Sequence, residues 1–427
     1  MNPTKPAQSH YDAIVIGGGP AGATAAAILA EKGRRVLVLE KDKFPRYRIG
    51  ESLMPFCWYT LNRLGLVDQM NARAFTKKYS VQFVTSDGRQ SQPFYFFQHY
   101  DHPSSTTWQI ERSDFDQMML ENACSKGAEV VQQTPVRRVI KDDSGRVIGV
   151  EAIGPDGESF QAFAPVTIDC SGREQVATVR EGWRMRDPQL NKLAVWAYYH
   201  GAKRDPGIDE GNTTVAYVSG RGWFWYIPLR DDVVSVGIVA DKEYLFSETK
   251  DPAEIMAREI GKNLWIKEHL EGSEQFGEYR VTSEFSYRSK YCAADGLVLA
   301  GDAFAFLDPV FSSGVFLALK SGEMAADAVD AALTAGDTSG ERFSSYGEHL
   351  CRGIENMRKL VYAFYDKNFS FGRMLKAYPQ HKGLLTDSLI GDLFDVDFSE
   401  LHSAMNEFAE LPPELAYGRA PAPFATA

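Results

Sequence analysis

No two of the five cysteines (Cys57, Cys124, Cys170, Cys292 and Cys351) form a CxxC pair, and their number is odd. Neither a disulfide framework nor a metal site is signalled, and a reducing cytoplasm fits best. Long apolar runs are also missing: the 17 residues from Ile14 to Ala30 fall short of the roughly 20 needed to cross a bilayer and contain Gly17, Gly18, Gly19, Pro20 and Gly22. Asp12 stands just before that run, where a targeting segment would want a basic leader. Positive charge is in deficit, since 46 Lys plus Arg against 57 Asp plus Glu leave −11. That disfavours nucleic acid and anionic membrane as partners. Internal repeats and low-complexity linkers are absent too, which excludes solenoids and beads on a string.

What remains is the composition of an ordinary globular chain of two or three modules: 427 residues, 44% hydrophobic and 24% charged. The N-terminal part reads as β-α-β, with a strand at Tyr11 to Ile16, an alanine-rich helix at Ala21 to Glu31 ended by Gly33, and a strand at Arg35 to Leu39. Alternating residues in Lys78 to Val84 and Ser91 to Phe97, around Asp87-Gly88, predict an inserted hairpin. A helix at Asp114 to Lys126 precedes a meander from Val136 to Asp169. Four further β-rich runs between Leu193 and Ala240 predict a broad antiparallel sheet, covered by a helix at Pro252 to Leu270. A strand at Gly296 to Ala300 and a long helix at Gly314 to Leu333 follow, then mostly helix to about Phe408. The fold class is α/β: a Rossmann-like domain (11–75, 111–192, 291–336) interleaved with an antiparallel-sheet substrate domain (76–110, 193–290), then a C-terminal helical region (337–410) and a loose tail (411–427).

Gly17-Gly18-Gly19-Pro20-Ala21-Gly22 is a GxGxxG between strand and helix, with acidic Glu40 at the end of the next strand. Gly17 makes the tight turn, Gly19 admits a pyrophosphate against the backbone, Gly22 allows close helix packing, and Glu40 accepts hydrogen bonds from a ribose. A glycine turn without ligand is the plain alternative. The strand, helix and acid falling into place together favour a dinucleotide.

Gly301-Asp302 after an apolar strand, followed by Asp308-Pro309 and Ser312-Ser313-Gly314 at the head of a helix, resembles the second FAD motif of aromatic-hydroxylase-type flavoproteins. The resemblance implies that Asp302 holds the ribityl chain and that the helix N-terminus stabilises the reduced flavin. Arg112, in Glu111-Arg112-Ser113-Asp114-Phe115-Asp116, and Asp169 match two further family positions; Ala21, Arg46, Ser52, Val136, Pro309 and Gly314 are implied cofactor contacts as well.

Gly50-Glu51-Ser52-Leu53-Met54-Pro55 and Trp223-Phe224-Trp225-Tyr226-Ile227-Pro228 resemble the GESLLP and WxWxIP segments of flavin-dependent halogenases, in their phenol and pyrrole branch. Geranylgeranyl reductases, which share the first motifs, end the second in Phe-Pro. Sheet packing alone would explain Trp223 and Trp225, because residues two apart share a strand face. In the family the paired indoles also separate flavin from organic substrate. The family's lysine matches Lys78, with Lys77 as the alternative if the register shifts by one, although a Lys-Lys pair taken alone is usually solvated surface.

The resemblance implies reduced FAD supplied by a separate flavin reductase, since no second GxGxxG is present for a nicotinamide. Chloride or bromide held at the backbone of Ser313 and Gly314 becomes hypohalous acid. Lys78 then directs the halogen, as an N-halamine or by hydrogen bond, and burial would help the first by lowering the amine pKa. Tryptophan halogenases carry Pro-Leu-Glu-Ser-Thr-Gly where this chain has Pro309-Val310-Phe311-Ser312-Ser313-Gly314, so a carboxylate is replaced by Phe311. Electron-rich rings, phenols or pyrroles, free or on a carrier protein, need that help least. The competing readings are an FAD-dependent monooxygenase, a geranylgeranyl-reductase-like oxidoreductase, and a flavin-binding regulatory subunit without chemistry.

Overall fold

Ala13–Ile16 and Val36–Leu39 are wholly buried apolar strands. Such runs without alternation belong to a parallel sheet covered on both faces. They sit in a six-stranded sheet with Val166–Asp169, Leu297–Leu299, Ala293–Ala294 and Glu129–Val131, parallel except for the last hairpin at Ala293–Ala294. This computed structural model describes residues 5–218, 220, 222–283 and 286–414. The helix Pro20–Glu31 is buried along almost its whole length, between Ser313–Ala335 and Arg112–Ser125. Its alanines allow that approach: a Cβ on Gly322 would lie 2.4 Å from the carbonyl oxygen of Ala21. Val136–Lys141, Val147–Ile153 and Ser159–Phe163 form the expected meander.

The second sheet has seven strands in the order Glu274–Ser283, Lys192–His200, Val233–Asp241, Gly222–Pro228, Thr213–Val218, Ser80–Val84, Phe94–Tyr95. Alternation in Gly222–Pro228 sorts its side chains between two cores. Trp223, Trp225 and Ile227 face the dinucleotide-type domain; Phe224 and Tyr226 face Trp265 and Ile266 on the other side. The helix expected at Pro252 to Leu270 is two helices, Pro252–Ile260 and Leu264–His269. Asn263 divides them, its side chain accepting from the Ile266 amide at 3.0 Å as an N-cap.

Two further differences concern the insertion. Ser80–Val84 pairs antiparallel with Phe94–Tyr95, as the hairpin requires, but runs parallel to Thr213–Val218, so the sheet is not purely antiparallel. Lys78 belongs to a separate ribbon, Thr76–Lys78 with Thr107–Gln109. Glu274–Ser283 was not foreseen. It is an edge strand with mostly exposed or half-buried side chains, and an edge leaves no apolar alternation to read.

Ser344–Tyr365, Phe371–Ala377, Lys382–Ile390 and Ser399–Asn406 make up the C-terminal helices. Residues 411–414 are held down, with Arg358 donating to the carbonyl of Pro413 at 2.5 Å. The remainder of the expected tail, 415–427, lies outside the described residues. Among the described residues no helix is long and apolar enough to cross a membrane.

Candidate active site

A cavity of about 580 Å³ runs between the two sheets, from the glycine turn and Glu40, past Arg46, Arg112 and Asp302, to Trp223 and Trp225. At the first of these ends the three motif glycines have different reasons. Gly17 takes φ +98° with its would-be Cβ 2.5 Å from the Cys170 carbonyl oxygen, and a Cβ on Gly22 would meet the Gly17 carbonyl oxygen at 1.9 Å. Gly19 is not strained. Its nearest obstacle is the Arg46 guanidinium at 3.4 Å, so the missing side chain leaves a space beside a cation. Glu40 lines the cavity and accepts from the Gly18 amide at 2.7 Å and the Asp42 amide at 2.8 Å.

One fully buried carboxylate, Asp116, aims both arginines. It accepts from Arg46 at 2.8 Å and from Arg112 at 2.8 and 2.9 Å, while Arg112 also donates to the Ile49 carbonyl at 2.7 Å. Asp302 lines the same cavity; burial pushes its carboxyl up to about 6, against the pull of Arg112. Ala21, Ser52, Val136, Pro309 and Gly314 line the same cavity. Asp169 does not: it accepts from the amides of Ser171 and Ala177 at 2.9 and 2.8 Å, and so fixes the turn that presents Ser171 and Gly172.

These residues fit FAD. The space at Gly19 lies against a guanidinium suited to a pyrophosphate, and Asp302 offers a carboxylate to ribityl hydroxyls.

At the far end Trp225 lies between Trp223 and Trp196, with ring centroids 6.1 Å from each. All three line the cavity. Trp225 donates to Ser235 Oγ at 3.1 Å. Trp223 donates to the Tyr365 hydroxyl at 2.8 Å, which in turn donates to Asp308 at 2.8 Å. One chain of hydrogen bonds thus ties the tryptophan strand, the C-terminal helix and the loop before Ser313–Ala335. In that loop Ser312 is left-handed, at φ +58°. Gly314 faces the cavity with nothing closer than 4.0 Å to a would-be Cβ, whereas the Ser313 side chain is buried outside the wall with an unpartnered Oγ. Phe311 packs edge-on against Phe364 and Phe371.

Lys78 lies behind the cavity wall, 4% exposed. Its Nζ donates to Ser52 Oγ at 2.8 Å and to the Leu53 carbonyl at 3.2 Å, and sits 5.7 Å from the Phe96 ring. Ser52 also shares a hydrogen bond with Thr213, which accepts from Gln109. Burial lowers the Lys78 amine to about 7. Lys77 points to the other face, half-buried over the Trp108 ring at 4.7 Å. Sequence reasoning passed over Trp196, Asp116, Tyr365 and the carboxyl of Glu51 as site residues. Glu51 lay inside a motif already quoted, and Trp196 inside a strand already expected; pairing across the sheet was the missing information.

The family profile described as tryptophan halogenase matches residues 12–106 and 98–376. A 1H-pyrrole-2-carbonyl-[peptidyl-carrier protein] brominase of Pseudoalteromonas luteoviolacea is 37% identical over 86% of this chain and 88% of its own length. The corresponding chlorinase of Pseudomonas fluorescens is 29% identical over 93% and 92%. Among solved structures, the flavin-dependent brominase Bmp2 superposes with a TM-score of 0.84 at 30% identity, covering 93% of this chain and 98% of its own. With the motifs, the cavity and these likenesses in agreement, the chain belongs to the tryptophan halogenase family and is a flavin-dependent halogenase that uses FAD and chloride or bromide.

Proposed function

We propose that this enzyme halogenates a pyrrole-2-carbonyl group carried by a peptidyl carrier protein, with Lys78 passing the halogen from the flavin cavity to the ring. The observation that carries this reading is the buried Lys78 amine, lowered to about 7 and bonded to Ser52, a residue of the cavity wall. Bound reduced FAD, delivered by a separate reductase, supplies the electrons that let oxygen turn halide into hypohalous acid. Gly19, Arg46, Arg112 and Asp302 hold it, while the backbone at Ser313 and Gly314 receives halide. Trp223, Trp225 and Trp196 keep the ring away from the flavin end. The neutral Lys78 amine takes halogen from hypohalous acid, forming N–X and releasing water, then gives it to carbon and recovers the ring proton. A charged ammonium has no lone pair for that step. An odd number of cysteines with no CxxC pair suits a cytoplasmic setting, where reduced flavin is available.

Phe311 at the place of the family's glutamate supports an electron-rich ring, and the relatives' carrier-bound pyrroles supply its chemical class. Presenting pyrrole-2-carboxylate free and on a carrier, with reductase and bromide or chloride, tests this. Halogenation of the carrier-bound form only, and only with halide, is expected. Oxygenation without halide, or equal use of the free acid, would contradict it.

A further inference from the structure

Each turnover needs a proton that none of the carbon or flavin chemistry provides. Neutral reduced FAD (FADH2), dioxygen, a halide anion, one proton and an aromatic C–H become FAD, an aryl halide and two waters. Flavin and halide each lose two electrons, oxygen gains all four, and a C–H bond is exchanged for C–X. Halide arrives as an anion, so the cavity must admit that proton separately.

Glu51 lines the cavity at 4% exposure. Its Oε2 is buried without a hydrogen bond, while Oε1 accepts from the Tyr198 hydroxyl at 2.6 Å. Tyr198 lies 2.9 Å from the Tyr47 hydroxyl, which accepts from Trp196 Nε1 at 2.7 Å. Because Tyr198 gives its own proton to Glu51, Tyr47 is the donor in the pair, and the two phenols both donate toward Glu51. Tyr47 is 37% exposed, its ring covered by the Arg280 guanidinium at 3.8 Å. We propose that Tyr47, Tyr198 and Glu51 form the proton inlet of the flavin cavity, with Glu51 as the acid that protonates oxygen leaving as water and Tyr198 reloading it.

The groups facing Glu51 are Tyr198 and Ser235 from the sheet and Glu111 and Arg112 from the start of helix Arg112–Ser125. Burial outweighs Tyr198, Ser235 and Arg112, and Glu111 adds to it, so the carboxyl is pushed up to about 7. It is therefore an acid with a proton to give near neutral pH. This inference rests on the family's reaction and not on the role of Lys78.

Glu51→Gln and Tyr198→Phe, in the full chain with and without FAD, test it. Without FAD, infrared difference spectra of the parent should show a buried carboxylic acid titrating near pH 7, absent from Glu51→Gln and shifted in Tyr198→Phe. With FAD and reductase, Glu51→Gln should lose product roughly 100-fold while still binding FAD and oxidising reduced flavin. Tyr198→Phe should lose product roughly tenfold, more at high pH, where protons are scarce. Parent-level product in either variant, or no titrating acid, would overturn the inlet. Loss in both variants beside an active Lys78→Ala would keep the inlet and remove the lysine relay.

Discussion

Lys78 is held in a state that folding alone would not favour. Its amine is buried, and among the described residues its donors reach only a hydroxyl and a carbonyl and no carboxylate hydrogen-bonds it. The unfolded chain binds this proton up to about 10.5 and the folded one only to about 7. The penalty is therefore complete below pH 7, shrinks as pH rises, and vanishes near 10.5. A shift of that size is worth on the order of 5 kcal/mol, offset in part by the two lost hydrogen bonds. Lys78→Met should thus melt above the parent at pH 6, with the advantage fading toward pH 10. An advantage independent of pH would mean that the amine is not the cause. The same titration predicts that halogenation by a neutral amine weakens below pH 7, while the Glu51 acid weakens above it, giving a maximum near neutrality.

Among elements, the strand Gly222–Pro228 brings two tryptophans to the cavity wall, and its neighbour makes room for them. Gly237, paired opposite Trp225 on Val233–Asp241, would bring a Cβ within 2.3 Å of the Trp225 ring and 2.5 Å of Trp196 Cβ. Gly237→Ala should therefore push the indole into the flavin cavity. A loss of roughly 1–3 kcal/mol from overpacking is expected, with weaker FAD binding and altered tryptophan fluorescence. Unchanged FAD affinity would show that Trp225 does not border the cofactor. The Trp223 and Trp225 side of this strand was legible from spacing by two, as were the glycine turn and the helix after Ser313. Gly237 was not, since its meaning depends on a register between strands distant in sequence. Glu51 and Lys78 show the same limit from the other side: their identities were visible, but burial and the Ser52 and Tyr198 partners exist only once both sheets have closed.

At the scale of the whole molecule, the cavity and the Lys78 amine lie on the two sides of one wall. The six-stranded sheet and its helices supply the cofactor end, the seven-stranded sheet supplies the tryptophans, and Ser52 joins the cavity wall to Lys78 in its ribbon. Oxidising flavin and halogenating carbon should then be separable. The decisive measurement follows reduced-flavin reoxidation and halogenated product side by side in Lys78→Ala, with Lys77→Ala as the neighbouring control. The account predicts normal FAD binding and flavin reoxidation in both variants, full product from Lys77→Ala, and none from Lys78→Ala. Halogenated product at the parent rate from Lys78→Ala would contradict it.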